Sequence, residues 1–197
     1  MAPTQHQCLR QLSEAFARAL LRGLKPCFAK AIAIHHAYPL SAGDAPKTGA
    51  PFLTLIPYWV EPVTDRRLDR ILGKLEDGTE YFREPPVLLQ ARYALTAHGP
   101  SPDDQDVLMA AARVVHDMGV LGDDGEGPAD AVHWEDKPTP VLVPRFSLEE
   151  ARVVAEAHGM PLRPTLRYDV PFRLDSERKT VTKRVKERIV DYKKLDG

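Results

Sequence analysis

Leu9, Leu12, Phe16, Leu20 and Leu24 recur at spacings of three and four, which predicts a first helix with one apolar face. Thr4 and Gln7 form a capping-box pattern before it, and Gly23 and Pro26 supply its stop. Residues 28–38, with Ile32 and Ile34, read as a strand entering the core, and 39–51 as a turn-rich loop. Residues 52–60 (FLTLIPYWV) are apolar on both alternating sets, Phe52/Thr54/Ile56/Tyr58 and Leu53/Leu55/Trp59, as expected of a strand covered on both sides. Residues 62–86 mix Pro, Gly and charge and read as a projecting connection, with a short helix open at Leu68, Ile71, Leu72 and Leu75. The middle strand is 87–96 (VLLQARYALT), closed by the turn His98-Gly99-Pro100. A second helix follows, with Ser101 as its cap, Pro102 at its first position and Asp103 and Asp104 at the positive end of its dipole. Its core face is Val107, Leu108, Ala111, Val114, Val115 and Met118.

Residues 122–136 hold Asp123, Asp124, Glu126, Asp130, Glu135 and Asp136 without a Lys or Arg, the pattern of a solvated acidic loop. Residues 141–143 read as a short edge strand between Pro138, Pro140 and Pro144, which cannot donate ladder hydrogen bonds. Ser147 and Glu150 form a second capping box, opening a helix through Leu148, Val153 and Val154 that Gly159 and Pro161 end. Leu166, Tyr168, Val170, Phe172 and Leu174 alternate against Arg167, Asp169, Pro171, Arg173 and Asp175, a half-buried strand that Pro171 assigns to an edge or bulge. The fold class expected is α+β: a single domain over 1–175, a mostly antiparallel mixed sheet with about three helices packed on it, on one face by default. An extended basic C-terminal arm over 176–197 follows it.

Composition removes several function classes. The 197 residues carry 27 Lys+Arg and 28 Asp+Glu, a formal charge of −1, so no chain-wide basic footprint for nucleic acid exists. Eighteen prolines are nearly twice the usual ~5 % and demand much extended or looped chain. Cys8 and Cys27 are too few for a disulfide framework and lack CxxC spacing, the usage of a reducing compartment. No apolar run approaches a membrane span, and Arg18 breaks the only apolar N-terminal stretch, 15–21, so neither a span nor a secretory signal is expected.

Candidate chemistry is sparse. His35 and His36, as strand neighbours, point to opposite faces and are poorly placed to share an ion. His116, near a helix C-terminus, suits the dipole. His133-Trp134-Glu135 has the His-x-Glu of zinc deaminases without their Pro-Cys-x-x-Cys, and residues 123–130 lack the calcium-loop spacing. GxGxxG, GxxxxGK[ST] and GxSxG are missing, and the Glu149-Glu150 pair is explained by helix capping. No cofactor or metal is expected. The feature where function competes with a soluble tail is the arm. Eight bases (Arg178, Lys179, Lys183, Arg184, Lys186, Arg188, Lys193, Lys194) and four acids interleave there with Val181, Val185, Ile189, Val190 and Tyr192. That mixture fits a segment docking on another subunit by strand addition or in a shallow groove. Its single aromatic gives bases little to stack on. Trp59 and Trp134 are interface candidates as aromatics, with core or loop packing as their bland alternative.

Three segments in order, PFLTLIPYWVEP (51–62), PPVLLQARYALTAHGPSPDDQDVLMAAARVVHDMGVL (85–121) and FSLEEARVVAEAHGMPLRPTLRYDVPFRLDSE (146–177), carry a family resemblance. Together they resemble the tail-terminator, or cap, proteins of extracellular contractile injection systems of the virulence-cassette and antifeeding-prophage type. The resemblance covers most of 30–190 and departs at 64–84 and around Gly125. It implies a non-enzymatic structural cap, a six-fold ring of copies of the chain closing the upper end of a tube and sheath. Its partners would be itself, the sheath protein and the inner tube protein, without cofactor, membrane or nucleic acid. It would assemble in the bacterial cytoplasm and end at the baseplate-distal tip of the particle. The interface residues expected are Trp59, Arg178, Lys179, Val181, Lys183, Arg184, Val185, Lys186, Arg188, Ile189 and Tyr192. The resemblance points to an extended arm, whereas the four-residue spacing of Val181, Val185 and Ile189 is helical. The competing classes are a small soluble enzyme with an unrecognised site and a nucleic-acid or targeting adaptor acting through the arm.

Overall fold

The computed structural model describes residues 8–36, 50–63, 71–74, 80–100, 102–121, 133–134, 137–174 and 179–181. The chain divides into two compact units, one of Met1–Arg66 with Val87–Leu174 and one of Arg67–Pro86 with Asp175–Gly197.

The larger unit is built on a four-stranded sheet whose strands, in spatial order, are β1 (Ala33–His35), β2 (Phe52–Pro62), β5 (Val87–His98) and β9 (Thr165–Leu174). β1 runs parallel to β2, and the other pairings are antiparallel, a mostly antiparallel mixed sheet. The strand read over 28–38 is only three residues long, because β1 pairs with β2 solely at Phe52, Leu53 and Thr54 and residues 29–31 are exposed. Three helices complete the α+β architecture: α1 (Cys8–Leu24), α2 (Asp103–Met118) and α3 (Leu148–Ala157).

The expected placement of the helices on one face is corrected: α1 and α2 cover one face of the sheet and α3 the other. Alternation along β5 explains how both faces are served. Ala91, Tyr93, Leu95 and Ala97 join Leu12, Phe16, Leu20, Val107, Ala111 and Val115 in the main core, while Ala94 packs with Ile56, Val154, Ala155 and Met160 beneath α3. Phe16 anchors the main core edge-on to Tyr93 and Tyr168, at 5.6 and 5.7 Å between ring centroids. The Tyr93 phenol is satisfied inside: the Ser13 hydroxyl donates to the Leu9 carbonyl (2.8 Å) and accepts from Tyr93 (3.0 Å).

Gly23 does not stop α1, which continues to Leu24. A Cβ at Gly23 would lie 2.3 Å from Val114 Cγ1, so the glycine permits the close crossing of α1 over α2. Pro102 is the N-cap of α2 rather than its first residue and makes no side-chain cap bond; Ser101 and the Thr4/Gln7 box lie outside the described residues. At α3 the Ser147 side chain does cap, accepting from the Glu150 N–H at 3.1 Å. Gly159 adopts φ +61 at its exit, where the Met160 N–H bonds back to the Ala155 carbonyl (2.8 Å).

The edge strand expected at 141–143 lies one step earlier. β8 (Lys137–Pro140) pairs with β6 (Val120–Leu121) and β7 (His133–Trp134), and Leu142 keeps only a single bridge to Asp169. In the smaller unit, β3 (Ile71–Lys74), β4 (Glu80–Arg83) and β10 (Lys179–Val181) form an antiparallel sheet in the order β10-β4-β3. The helix left open around Ile71 and Leu72 is thus a strand. Its Gly73 is covered by the ring of its cross-strand partner Tyr81, a tertiary contact that overrides the local spacing. The acidic residues 123–130 lie outside the described residues.

Candidate functional site

Trp59 is the one expected interface residue placed in the larger unit. A register shift between Pro57 and Trp59 sets Trp59 opposite Arg92 and Glu61 opposite Gln90, on the α3 side of the sheet. Core or loop packing does not describe Trp59, which is 55 % exposed. Its indole Nε1–H donates to Glu61 Oε2 at 3.2 Å, and the other oxygen of Glu61 accepts from Arg92 Nη2.

From Arg92 the polar contacts continue to the first turn of α3. Glu150 accepts from the Tyr58 hydroxyl (2.8 Å) and from Arg167 Nη1 (3.2 and 3.3 Å), with Arg92 Nη1 3.9 Å away. Arg167 in turn grips Asp169 with a two-pronged fork, Nε to Oδ1 at 2.8 Å and Nη2 to Oδ2 at 2.7 Å, and Gln90 adds a third donor to Asp169 at 2.7 Å. Glu150 therefore serves as a capping residue only through its N–H. Its carboxylate leaves the cap and ties α3 to β2, β5 and β9, which corrects the assignment of Glu149-Glu150 to capping alone.

The electrostatics hold Tyr58, Arg167 and Glu61 in their ordinary charge states. Burial, helped by the bond to Glu150, pushes the Tyr58 hydroxyl up. The fork to Asp169 pushes the Arg167 guanidinium up, and the bond from Arg92 holds Glu61 below the usual carboxylate range. All three shifts lead away from neutrality, so none of these groups is poised to pass a proton there. The cluster is a hydrogen-bonded network beside an exposed indole. Among the described residues no group of three or more His, Cys, Asp or Glu could hold a metal ion. His35 and His36 diverge, His35 packing edge-on to Phe52 and His36 Nδ1 reaching the Leu55 carbonyl at 3.3 Å.

Of the arm residues expected at the interface, Lys179 and Val181 lie on β10, in register with Arg83 and Tyr81 of β4, so this stretch is extended. Arg178, Lys183, Arg184, Val185, Lys186, Arg188, Ile189 and Tyr192 lie outside the described residues. Sequence reasoning passed over Glu61, Arg92, Glu150, Arg167 and Asp169. The signal lay in the polar set of 166–174 and in Gln90/Arg92 within an otherwise apolar strand.

No family model matches the chain, and no curated protein matches it in sequence. Solved structures do match in fold. One is the sheath/tube terminator, in the extended state, of the PVC extracellular contractile injection system, with a TM-score of 0.60 and 15 % identity over 92 % of this chain. Another is the tube-terminating cap of the anti-feeding prophage, with a TM-score of 0.62 and 16 % identity over 89 % of this chain. This chain spans 64 % and 59 % of the lengths of those two proteins. The polypeptide thus has the fold of terminating caps of contractile injection systems.

Proposed function

We propose that this protein is the terminator of a contractile injection particle, a structural cap that ends tube and sheath and performs no bond chemistry. The observation that carries the reading is the fold shared with two such caps over 92 % and 89 % of the chain. A cap of this kind acts as a closed ring of identical subunits, six by the expected symmetry, contacting sheath and inner tube protein on one side. The proposed contacts are Trp59 and the basic arm, including Lys179 and Val181. The negative charge of residues 123–130 is proposed to disfavour further stacking. The ring forms in the bacterial cytoplasm and remains at the baseplate-distal end of the particle. A formal charge of −1 supports protein rather than nucleic acid as the partner, and no helix of the described residues is long and apolar enough to cross a membrane.

Deleting the gene from a producing cell and imaging the particles tests this. Tubes and sheaths of uneven length are expected, with restoration by the full chain. Particles of normal length with an intact upper end would refute it. Chains truncated after residue 177 that still form normal rings and particles would remove the arm from the mechanism.

A further inference from the structure

Beyond Ile56 and Ala94, over which α3 packs, the same face of β2 carries Trp59, 55 % exposed, and Glu61. The indole Nε1–H bond to Glu61 Oε2 lies in the ring plane, so it fixes the ring without using either π face. Glu61 gives its other oxygen to Arg92, and each carboxylate oxygen keeps a second acceptor site. Within the network Glu61, Glu150 and Asp169 face Arg92 and Arg167, three carboxylates to two guanidiniums, and Glu61 is the most exposed of the three acids. A π face beside an ionised carboxylate that reaches solvent is the pairing that holds a guanidinium or ammonium group.

We infer that the Trp59–Glu61 face of one copy is the docking site for residues 182–197 of a neighbouring copy, a lysine or arginine of 183–188 stacking on the indole and bonding to Glu61. The inference rests on the ring reading above and names the surfaces that meet in the ring. Residues 182–197 carry six Lys and Arg against three Asp and Glu, a charge opposite to that of the face. Four of the six bases, Lys183, Arg184, Lys186 and Arg188, lie within 183–188, around Val185.

Reach and stoichiometry favour a neighbouring copy as the occupant. β10 ends at Val181, and the sixteen residues that follow can span about 55 Å when extended, enough to leave the subunit they belong to. Each copy brings one basic segment and one Trp59–Glu61 face. Docking head to tail around a closed ring therefore fills every face with the segment of the copy beside it and leaves none over for a sheath or tube protein. The contact is part ion pair at the surface, so it weakens as salt is added.

Photo-crosslinking between copies of the full chain tests this. A chain with Val185→p-benzoylphenylalanine is mixed with an equal amount of nitrogen-15-labelled chain, irradiated, and its cross-linked peptides are read by mass spectrometry. Position 185 is expected to reach the labelled peptide that holds Trp59, with a yield that falls as salt is added. Trp59→Leu in the labelled copy keeps an apolar side chain but removes the π face, and is expected to lower that yield about 2- to 5-fold. Cross-links confined to unlabelled peptides would place the segment on its own subunit and overturn the inference. So would cross-links only to other peptides, a yield indifferent to Trp59→Leu, or a chain that stays monomeric and gives none. Any of these alongside uneven particles in the gene deletion would sink this docking and leave the cap reading standing, whereas normal particles without the chain would remove the reading itself.

Discussion

Arg167→Met tests whether the charged cluster under α3 is a coupled unit. The Arg167 side chain is 12 % exposed and that of Asp169 6 %, so bulk water screens neither well. Removing the guanidinium deletes the two-pronged fork to Asp169 and both contacts to Glu150. Asp169 keeps one neutral donor, Gln90, while Glu150, 26 % exposed, keeps Tyr58 and can be hydrated. The cost therefore falls mainly on Asp169. Breaking a buried pair from one side costs about 3–5 kcal/mol, and the surviving Gln90 bond sets the expectation at about 3 kcal/mol. With a denaturant slope of about 1–3 kcal/mol/M, the urea midpoint falls by about 1–3 M at unchanged slope. Adding Asp169→Asn removes the stranded charge while keeping the shape, and is expected to restore at least about 1 kcal/mol relative to the single variant. A loss below about 1 kcal/mol for Arg167→Met, or additive worsening in the double variant, would refute the reasoning.

Further expectations concern the core, the helix crossing and the exposed indole. Phe16→Ala, fully buried between Tyr93 and Tyr168, should cost about 3–5 kcal/mol in equilibrium denaturation. Gly23→Ala places a Cβ against Val114 and should cost about 1–3 kcal/mol, most of it recovered by adding Val114→Ala; no loss would mean the helices separate freely. Trp59→Ala should leave stability within about 0.5 kcal/mol but reduce the ring fraction in native mass measurements, and undiminished ring mass would remove Trp59 from the contact.

Periodic elements were legible in the sequence because local pattern and tertiary demand agree there. α1 buries Leu12, Phe16, Leu20 and Leu24 as its spacing predicts, and the alternation of 166–174 is the register of β9. What escaped prediction depends on contacts distant in sequence. β1 is only as long as its pairing with β2. Ile71 and Leu72 become strand because Phe82 and Tyr81 lie opposite Leu72 and Gly73. The charged cluster was hidden for the same reason: Glu61, Arg92, Glu150 and Arg167 are separated by 31, 58 and 17 positions and meet only when three strands and a helix converge. Capping logic even concealed Glu150, since the Ser147-x-x-Glu150 signature is genuine at the backbone while the carboxylate serves elsewhere.

The edges of the main sheet bear on how a cap can stop a polymer. Asp169 exchanges both backbone bonds with Leu142, so the outward polar groups of β9 fall at 167, 169, 171 and 173. At 171 that position is Pro171, which has no N–H, and β7 and β8 lie against the same strand. On the other side β2 outruns β1, yet there it carries Pro57, a register shift between Pro57 and Trp59, and Pro62. Prolines and bulges are the devices by which sheet edges refuse a further strand. Among the described residues, neither long edge of this sheet is therefore suited to strand addition. If the chain acts as the proposed terminator, a subunit that joins an assembly through other surfaces and leaves these described edges blunted would end growth because they offer no continuation.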